Sequence, residues 1–309
     1  MSKRLLGQTD LELEPLVFGG NVLGWTLDEA SAFKVLDAYV DAGFTAIDTS
    51  DSYGKGKSET ILGNWMKARG NRAKVLVFTK VGSDMGQGHK DLSPEWIESE
   101  VDASLKRLQT DRIDLYQSHW PDPNTPQEES LAAFDRVIKA GKVRWIGSSN
   151  QDEHLLGEAL AISKRTGLAR YQTIQNLYNL YDRSSFEGPL QDLCVREQVS
   201  GIGYFSLARG FLAGKYRSAA DAAKSPRGQG AVDAYLNDKG KRILAALDAV
   251  SKRRNSTPAA VAIAWVAAQP AVGGAIASAT SVEQLKSLTD GARLKLSADD
   301  LTELTAAGA

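Results

Sequence analysis

Short apolar runs recur near residues 16 to 18, 44 to 48, 75 to 80, 113 to 118, 142 to 147, 171 to 175, 201 to 205 and 272 to 277. Each has the length of a β-strand. Between them the apolar positions change period. Phe33, Leu36 and Val40 recur at helical spacing, and Ile97, Val101, Leu105 and Leu108 keep the period of a helix with one buried face. Ser93 followed by Pro94 supplies a cap residue and a proline at the first position of that second helix. Strands alternating with helices predict parallel βαβ units. Eight such units in about 300 residues predict closure into a (β/α)8 TIM barrel, with residues 1–309 forming a single domain. The alternative is an open doubly wound sheet, but no Gly-x-Gly-x-x-Gly follows an early strand as a Rossmann domain requires.

Residues 1 to 10 read as a short N-terminal β-hairpin, with Gly7 to Asp10 as its turn. The uncharged stretch from Asn255 to Val282 is long enough to raise the question of a membrane span. Its many alanines are only weakly apolar, however. Gln269-Pro270 and Gly273-Gly274 divide it into a helix from about Pro258 to Ala268 and a strand from about Val272 to Ala277. Gly82 to Asp91 and Tyr216 to Asp238 read as long loops, expected on the carboxyl rim of the barrel.

Composition narrows the partners. The chain is 42% hydrophobic and 24% charged with a net charge of −1, and its acids and bases are interspersed, so neither nucleic acid nor a membrane surface is expected. Cys194 is the one cysteine, which excludes an intrachain disulfide and leaves no cysteine cluster to bind zinc or an iron–sulfur centre. The amino terminus lacks the apolar segment of a secretory signal, and a reducing cytoplasm is the expected compartment.

Four residues then stand out. Within Gly43 to Gly54 a short apolar run ends at Asp48, and the turn-rich part that follows carries Tyr53. Lys80 ends the run from Val75, and His119 ends the run from Ile113. In a barrel these strand ends converge on one rim, where active sites of the fold lie. In type, order, spacing and flanking residues the four resemble the catalytic tetrad of the aldo-keto reductase superfamily, and the resemblance runs from about Arg4 to Ala306.

That resemblance implies an oxidoreductase that interconverts an aldehyde or ketone and its alcohol. No side chain can donate hydride, so a nicotinamide must supply it, while a side chain gives a proton to the oxygen. Tyr53 is the implied proton donor; its ordinary pKa of about 10 makes it a reluctant acid. Lys80 would stabilise the phenolate, Asp48 would hold the lysine in place, and His119 would orient and polarise the carbonyl. The alternative on the same fold is a non-catalytic or slow redox-sensing regulatory subunit that binds nicotinamide.

The cofactor residues follow from the same resemblance. Ser149 and Asn150 match residues that hydrogen-bond the carboxamide, Gln175 matches the one beneath the ring, and Tyr204 matches a ring-stacking tyrosine; Asp48 borders the same place. The segment from Tyr204 to Tyr216 resembles the pyrophosphate strap, giving Phe205, Ser206, Leu207, Arg209, Gly210 and Lys215, although many relatives have Ser-Pro-Leu where this chain has Phe205-Ser206-Leu207. The loop from Tyr216 is expected to close over the cofactor. Ser278, Thr280 and Gln284 align with the segment that holds an adenosine 2′-phosphate, where relatives often carry lysine or arginine; Leu288 stands where they carry asparagine. Uncharged groups can bond a phosphate without neutralising it, so NADP(H) is the first expectation and NAD(H) the second. The small-molecule substrate is expected between Trp25, Tyr53, His119 and Trp120, with Met85 to Gln87 completing the wall, and the two tryptophans favour an apolar or ring-shaped compound.

Overall fold

The computed structural model describes residues 3–309. In chain order, β1 (Arg4–Leu5) and β2 (Glu12–Leu13) form an antiparallel hairpin, followed by β3 (Leu16–Gly19), α1 (Glu29–Asp41), β4 (Ala46–Asp48), α2 (Lys57–Arg69), β5 (Leu76–Val81) and α3 (Pro94–Leu108). Then come β6 (Ile113–Ser118), α4 (Gln127–Lys139), β7 (Val143–Ser149), α5 (Glu153–Thr166), β8 (Tyr171–Leu177), α6 (Pro189–Glu197) and β9 (Ser200–Tyr204). After β9 the chain forms α7 (Gly228–Tyr235), α8 (Asp238–Arg254) and α9 (Pro258–Ala267), then β10 (Val272–Ala277), α10 (Val282–Arg293) and α11 (Ala298–Ala307). Strands β3 to β10 close into a parallel barrel, β10 pairing with β3 through Ala275–Leu16, Ile276–Val17 and Ala277–Phe18. The structure is therefore the (β/α)8 barrel that the alternation implies.

Period-two alternation divides the apolar side chains between two cores. Val17, Ala46, Phe78, Leu115, Ile202 and Ile276 point into the barrel and meet Leu6, Leu11 and Leu13 of the hairpin. The hairpin is pinned at the strand starts, Gly7 N donating to Ser200 Oγ at 2.8 Å and Gln8 N to Gln172 Oε1 at 2.9 Å. It therefore plugs the amino end and leaves the carboxyl end open. Met1 and Ser2, which the hairpin reading includes, lie outside the described residues. Leu16, Phe18, Ile47, Val77, Tyr116 and Ile174 face outward into the second core beneath the helices.

The helix signals resolve as their chemistry dictates. Ser93 caps α3, its side chain accepting from Trp96 N, with Pro94 at the first position. In α1 the buried face is Ala32, Val35, Leu36 and Tyr39, so Phe33 and Val40 sit at its half-buried edges. The uncharged stretch becomes α9 and β10, and among the described residues no helix is long and apolar enough to cross a membrane. One expectation fails. Residues 216–238 are not a plain loop but hold a short 3-10 helix, Ala219–Lys224, and α7, which buries Ala231, Val232 and Tyr235. Alanine has the highest helix propensity, and it outweighs the Ser-Pro and glycine signals around it.

Candidate active site

Every residue singled out as a strand terminus arrives at the carboxyl end of the barrel. Asp48 is the last residue of β4, Lys80 the second last of β5, Ser149 the last of β7 and Tyr204 the last of β9. His119 and Ser278 follow β6 and β10 directly. Tyr53 reaches the same place from a tight turn in which Gly54, Lys55 and Gly56 all adopt positive φ, at 60°, 55° and 84°. Two glycines make that run of left-handed conformations affordable.

Lys80 is fully buried, and its ammonium is bonded on three sides. Nζ donates to Asp48 Oδ2 at 2.6 Å, to Thr49 O at 2.8 Å and to the Tyr53 hydroxyl at 3.2 Å. Asp48 Oδ1 accepts from Gln175 Nε2 at 2.9 Å, which ties β8 into the same network. Burial acts to lower the Lys80 pKa, but Asp48 and Tyr53 more than offset it, so the ammonium is retained well past neutrality. Burial raises the Tyr53 pKa, Lys80 pulling in the opposite direction, and the phenol keeps its proton at neutral pH.

His119 lies edge-on to Tyr53, ring centroids 5.9 Å apart, and stacks on Trp120 at 5.7 Å. Its Nδ1 is 3.1 Å from Ser50 Oγ and 2.9 Å from Ser83 Oγ, so Nε2 is the nitrogen left for a ligand. Burial, reinforced by Lys80 and Lys90, holds the imidazole pKa well below its ordinary value, and the ring is neutral.

A cavity of about 720 Å³ opens above these groups. Asp48, Tyr53, His119, Ser149, Asn150, Gln175 and Tyr204 form its floor and one side, while Lys80 lies behind Asp48 and Tyr53 without lining it. Asn150 is knitted into that side, Nδ2 donating to His119 O at 2.9 Å and Oδ1 accepting from the Tyr204 hydroxyl at 2.9 Å. Phe205, Ser206, Leu207, Arg209, Gly210 and Lys215 line the cavity farther along, where Phe205, Ala208 and Arg209 hold positive φ without being glycine. Such conformations cost energy and cluster where a segment must present its backbone to a ligand. Ser278, Thr280 and Gln284 also line it. Ser278 Oγ is engaged with Gly19 O at 2.7 Å and Asn21 Oδ1 at 2.8 Å, and Gln284 Oε1 accepts from Thr280 N at 3.0 Å.

Trp25 and Trp120 border the mouth of the cavity, Trp25 being 58% exposed, which decides for a rim position over a core one. Met85 to Gln87 are not among the lining residues. Their loop instead bonds to itself, Met85 N donating to Gln87 Oε1 at 2.7 Å and Gly86 N to Asp84 Oδ1 at 2.8 Å.

Sequence reasoning missed Lys224 and Arg227, which reach the cavity from the segment read as a loop. Arg227 lies over the Trp25 ring at 4.8 Å, and its Nη2 is buried without a hydrogen-bond partner among the described residues. An orphaned guanidinium donor beside Arg209 and Lys215 fits a ligand that carries phosphate groups, which would complete its bonding. No periodicity or spacing in the sequence marks Arg227 out, because a charged residue next to proline and glycine looks solvated.

Comparison with known proteins gives the family. The chain is 31% identical over 337 residues to Protein tas of Escherichia coli (strain K12), covering 99% of this chain and 97% of that protein. It is 31% identical over 245 residues to Aldo-keto reductase yakc [NADP(+)] of Schizosaccharomyces pombe, covering 76% and 70%. It is also 30% identical over 296 residues to a probable voltage-gated potassium channel subunit beta of Arabidopsis thaliana, covering 93% and 89%. The model of the Aldo/keto reductase family matches residues 15–309, so this chain, with its closed barrel and rim cavity, belongs to that family of oxidoreductases.

Proposed function

We propose that the protein interconverts an aldehyde or ketone and the corresponding alcohol, with NADP(H) as cofactor and Tyr53 as the proton donor. The observation that carries this reading is the Tyr53 hydroxyl, held at the cavity 3.2 Å from a fully buried lysine ammonium. A nicotinamide bound in the cavity supplies the hydride. Tyr53 gives its proton to the carbonyl oxygen in reduction and takes it back in alcohol oxidation. Lys80 stabilises the phenolate left behind, since an opposite charge in contact lowers the cost of ionising the phenol. Asp48 holds Lys80 at that position through the 2.6 Å ion pair. His119, neutral and therefore able to donate one hydrogen bond, orients the carbonyl from the other side.

For the cofactor, Ser149, Asn150 and Gln175 supply amide and hydroxyl groups near Tyr53, and Tyr204 supplies a ring face. Arg209, Lys215 and Arg227 supply the positive charge that Ser278, Thr280 and Gln284 lack. The relative named for NADP(+) supports the phosphorylated cofactor. Trp25 and Trp120 favour an apolar or ring-shaped substrate. A second reading, a redox-sensing subunit that binds the cofactor without fast turnover, is favoured by the relative named as a channel subunit.

Turnover of a panel of aldehydes, ketones and secondary alcohols with NADPH or NADP+ tests the reading. Tyr53→Phe should lose about 10²- to 10⁴-fold in kcat, the usual contribution of general acid catalysis, while still binding cofactor. Near-normal turnover by this variant would remove Tyr53 from the mechanism. Tight cofactor binding with no turnover by the unaltered protein would favour the sensor.

A further inference from the structure

Asp51 is fully buried, yet among the described residues no cation is bonded to it. Its Oδ1 accepts from Ser50 Oγ at 2.8 Å and from Ser52 N at 2.6 Å, while Oδ2 is buried without a partner among the described residues. The groups around it are mostly acidic. Glu59 of α2 and Glu100 of α3 face it and share Arg107, whose Nε donates to Glu59 Oε2 at 2.6 Å and whose Nη2 donates to Glu100. Tyr116 of β6 contributes a hydroxyl that is also buried and, among the described residues, unpartnered. Lys80 of β5 gives its charge to Asp48, and Tyr53 and His119 complete the surroundings. Three buried carboxyl groups thus stand around one arginine that serves two of them. A third negative charge there has two hydrogen bonds but, among the described residues, no cation of its own to offset its desolvation. Burial, reinforced by Glu59 and Glu100 and opposed by the bonds from Ser50 and Ser52, raises the Asp51 pKa to about 7.

Ser50 Oγ stands between this carboxyl and the active site, 2.8 Å from Asp51 Oδ1 and 3.1 Å from His119 Nδ1. A hydroxyl has one proton to donate. When Asp51 is ionised, that proton points to the carboxylate, and the Ser50 lone pair left for His119 favours a proton on Nδ1. When Asp51 is protonated it can donate to Ser50, whose own proton then turns to Nδ1 and favours the Nε2–H form. Ser52 Oγ, 2.9 Å from Ser50, and Ser83 Oγ, 2.9 Å from Nδ1, adapt to either arrangement because hydroxyls donate or accept.

We propose that Asp51 is a positioning residue that sets, through Ser50, which ring nitrogen of His119 carries the proton, its protonated form selecting the Nε2–H tautomer able to donate to a substrate carbonyl. The functional half of this inference rests on the role proposed above for His119; the tautomer itself does not.

Nitrogen-15 spectra of the full chain labelled at histidine test it directly, because the two imidazole tautomers have distinct nitrogen shifts. The chain has 3 histidines, and His119→Gln identifies the signals of interest by their loss. The expected result is a change of His119 from Nε2–H at about pH 6 to Nδ1–H at about pH 8.5. Asp51→Asn should fix one tautomer across that range, and Ser50→Ala should abolish the change while leaving the carboxyl in place. Should Asp51→Asn not fold, Ser50→Ala alone decides. A single tautomer at every pH in the unaltered protein, or an unchanged transition in Ser50→Ala, would overturn the proposal. With a carbonyl probe and NADPH, kcat should fall above the same midpoint, and that profile should flatten in Asp51→Asn. A tautomer change without turnover would sink the functional reading and spare this one.

Discussion

Lys80 has no exposed surface, and its ammonium gives all of its bonds to Asp48, Thr49 and Tyr53. Replacing it with the similarly shaped Met leaves Asp48 buried with Gln175 and Gln117 as its remaining polar partners. Breaking one side of a buried pair costs about 3 to 5 kcal/mol, whereas exchanging both sides for neutral groups can cost little. Lys80→Met should therefore lower the unfolding free energy obtained from urea titration by that amount, and Asp48→Asn combined with Lys80→Met should recover much of it. Additive losses would show that the pair is not energetically coupled. At this scale the sequence was legible where a residue's type, order and strand-end position coincide, as for Asp48, Lys80 and His119. Ser50, Asp51 and Ser83 were not, because small polar residues beside a turn look the same whether they face water or a buried imidazole. The distinction comes from α2 and α3 covering the turn, which no local pattern encodes.

Among the elements, the strands were read most accurately and the segment after β9 least. Strand ends differ from expectation by only a few residues, since the apolar runs of a parallel barrel are buried on both faces and stand out. Residues 216–238 misled because their proline, serines and glycines are local signals, whereas Val232 and Tyr235 of α7 become informative only once a surface exists to bury them. A better-defined element is α11, whose docking depends on Asp300. That carboxylate accepts from Arg253 Nη2 at 2.8 Å, from Arg254, and from Ser297 N at 3.0 Å as half of a reciprocal cap. Burial acts to raise its pKa, but the bonds from Ser297, Arg253 and Arg254 outweigh this and hold it below the ordinary carboxylate range. The stabilisation is therefore present above the unfolded pKa of about 3.9 and is lost as pH falls below it. Asp300→Ala should cost about 2 kcal/mol at about pH 6, the cap and the charged bonds together. The gap should narrow by about 1 kcal/mol at about pH 3, as unfolding midpoints at the two pH values would show. A constant gap would mean that the charge contributes nothing beyond packing.

For the whole molecule, a net charge of −1 hides an uneven distribution. The cavity collects Arg209, Lys215 and Arg227, and among the described residues none of the three is paired with a carboxylate. Lys224, which also lines it, is neutralised by Asp221 at 2.7 Å. The one acid on the lining, Asp48, is bound to Lys80. Such a wall attracts polyanions, and a site with three unpaired cations gains more from a ligand with an additional phosphate. The proposed cofactor site thus predicts that NADPH quenches the fluorescence of Trp25 and Trp120 at lower concentration than NADH does. The difference should shrink as salt screens the exposed part of the attraction. Arg227 is the sharpest probe, because its buried Nη2 has no partner among the described residues and the proposed cofactor would supply one. Arg227→Ala should weaken NADPH at least tenfold, about 1.4 kcal/mol, and Arg227→Lys should restore only part of the loss, since an ammonium cannot reproduce the planar fork. Equal binding of NADPH by the alanine variant would show that the orphaned guanidinium serves Trp25 alone. Tighter NADH than NADPH binding by the unaltered protein would mean that the uncharged Ser278, Thr280 and Gln284, not the cationic wall, decide the cofactor.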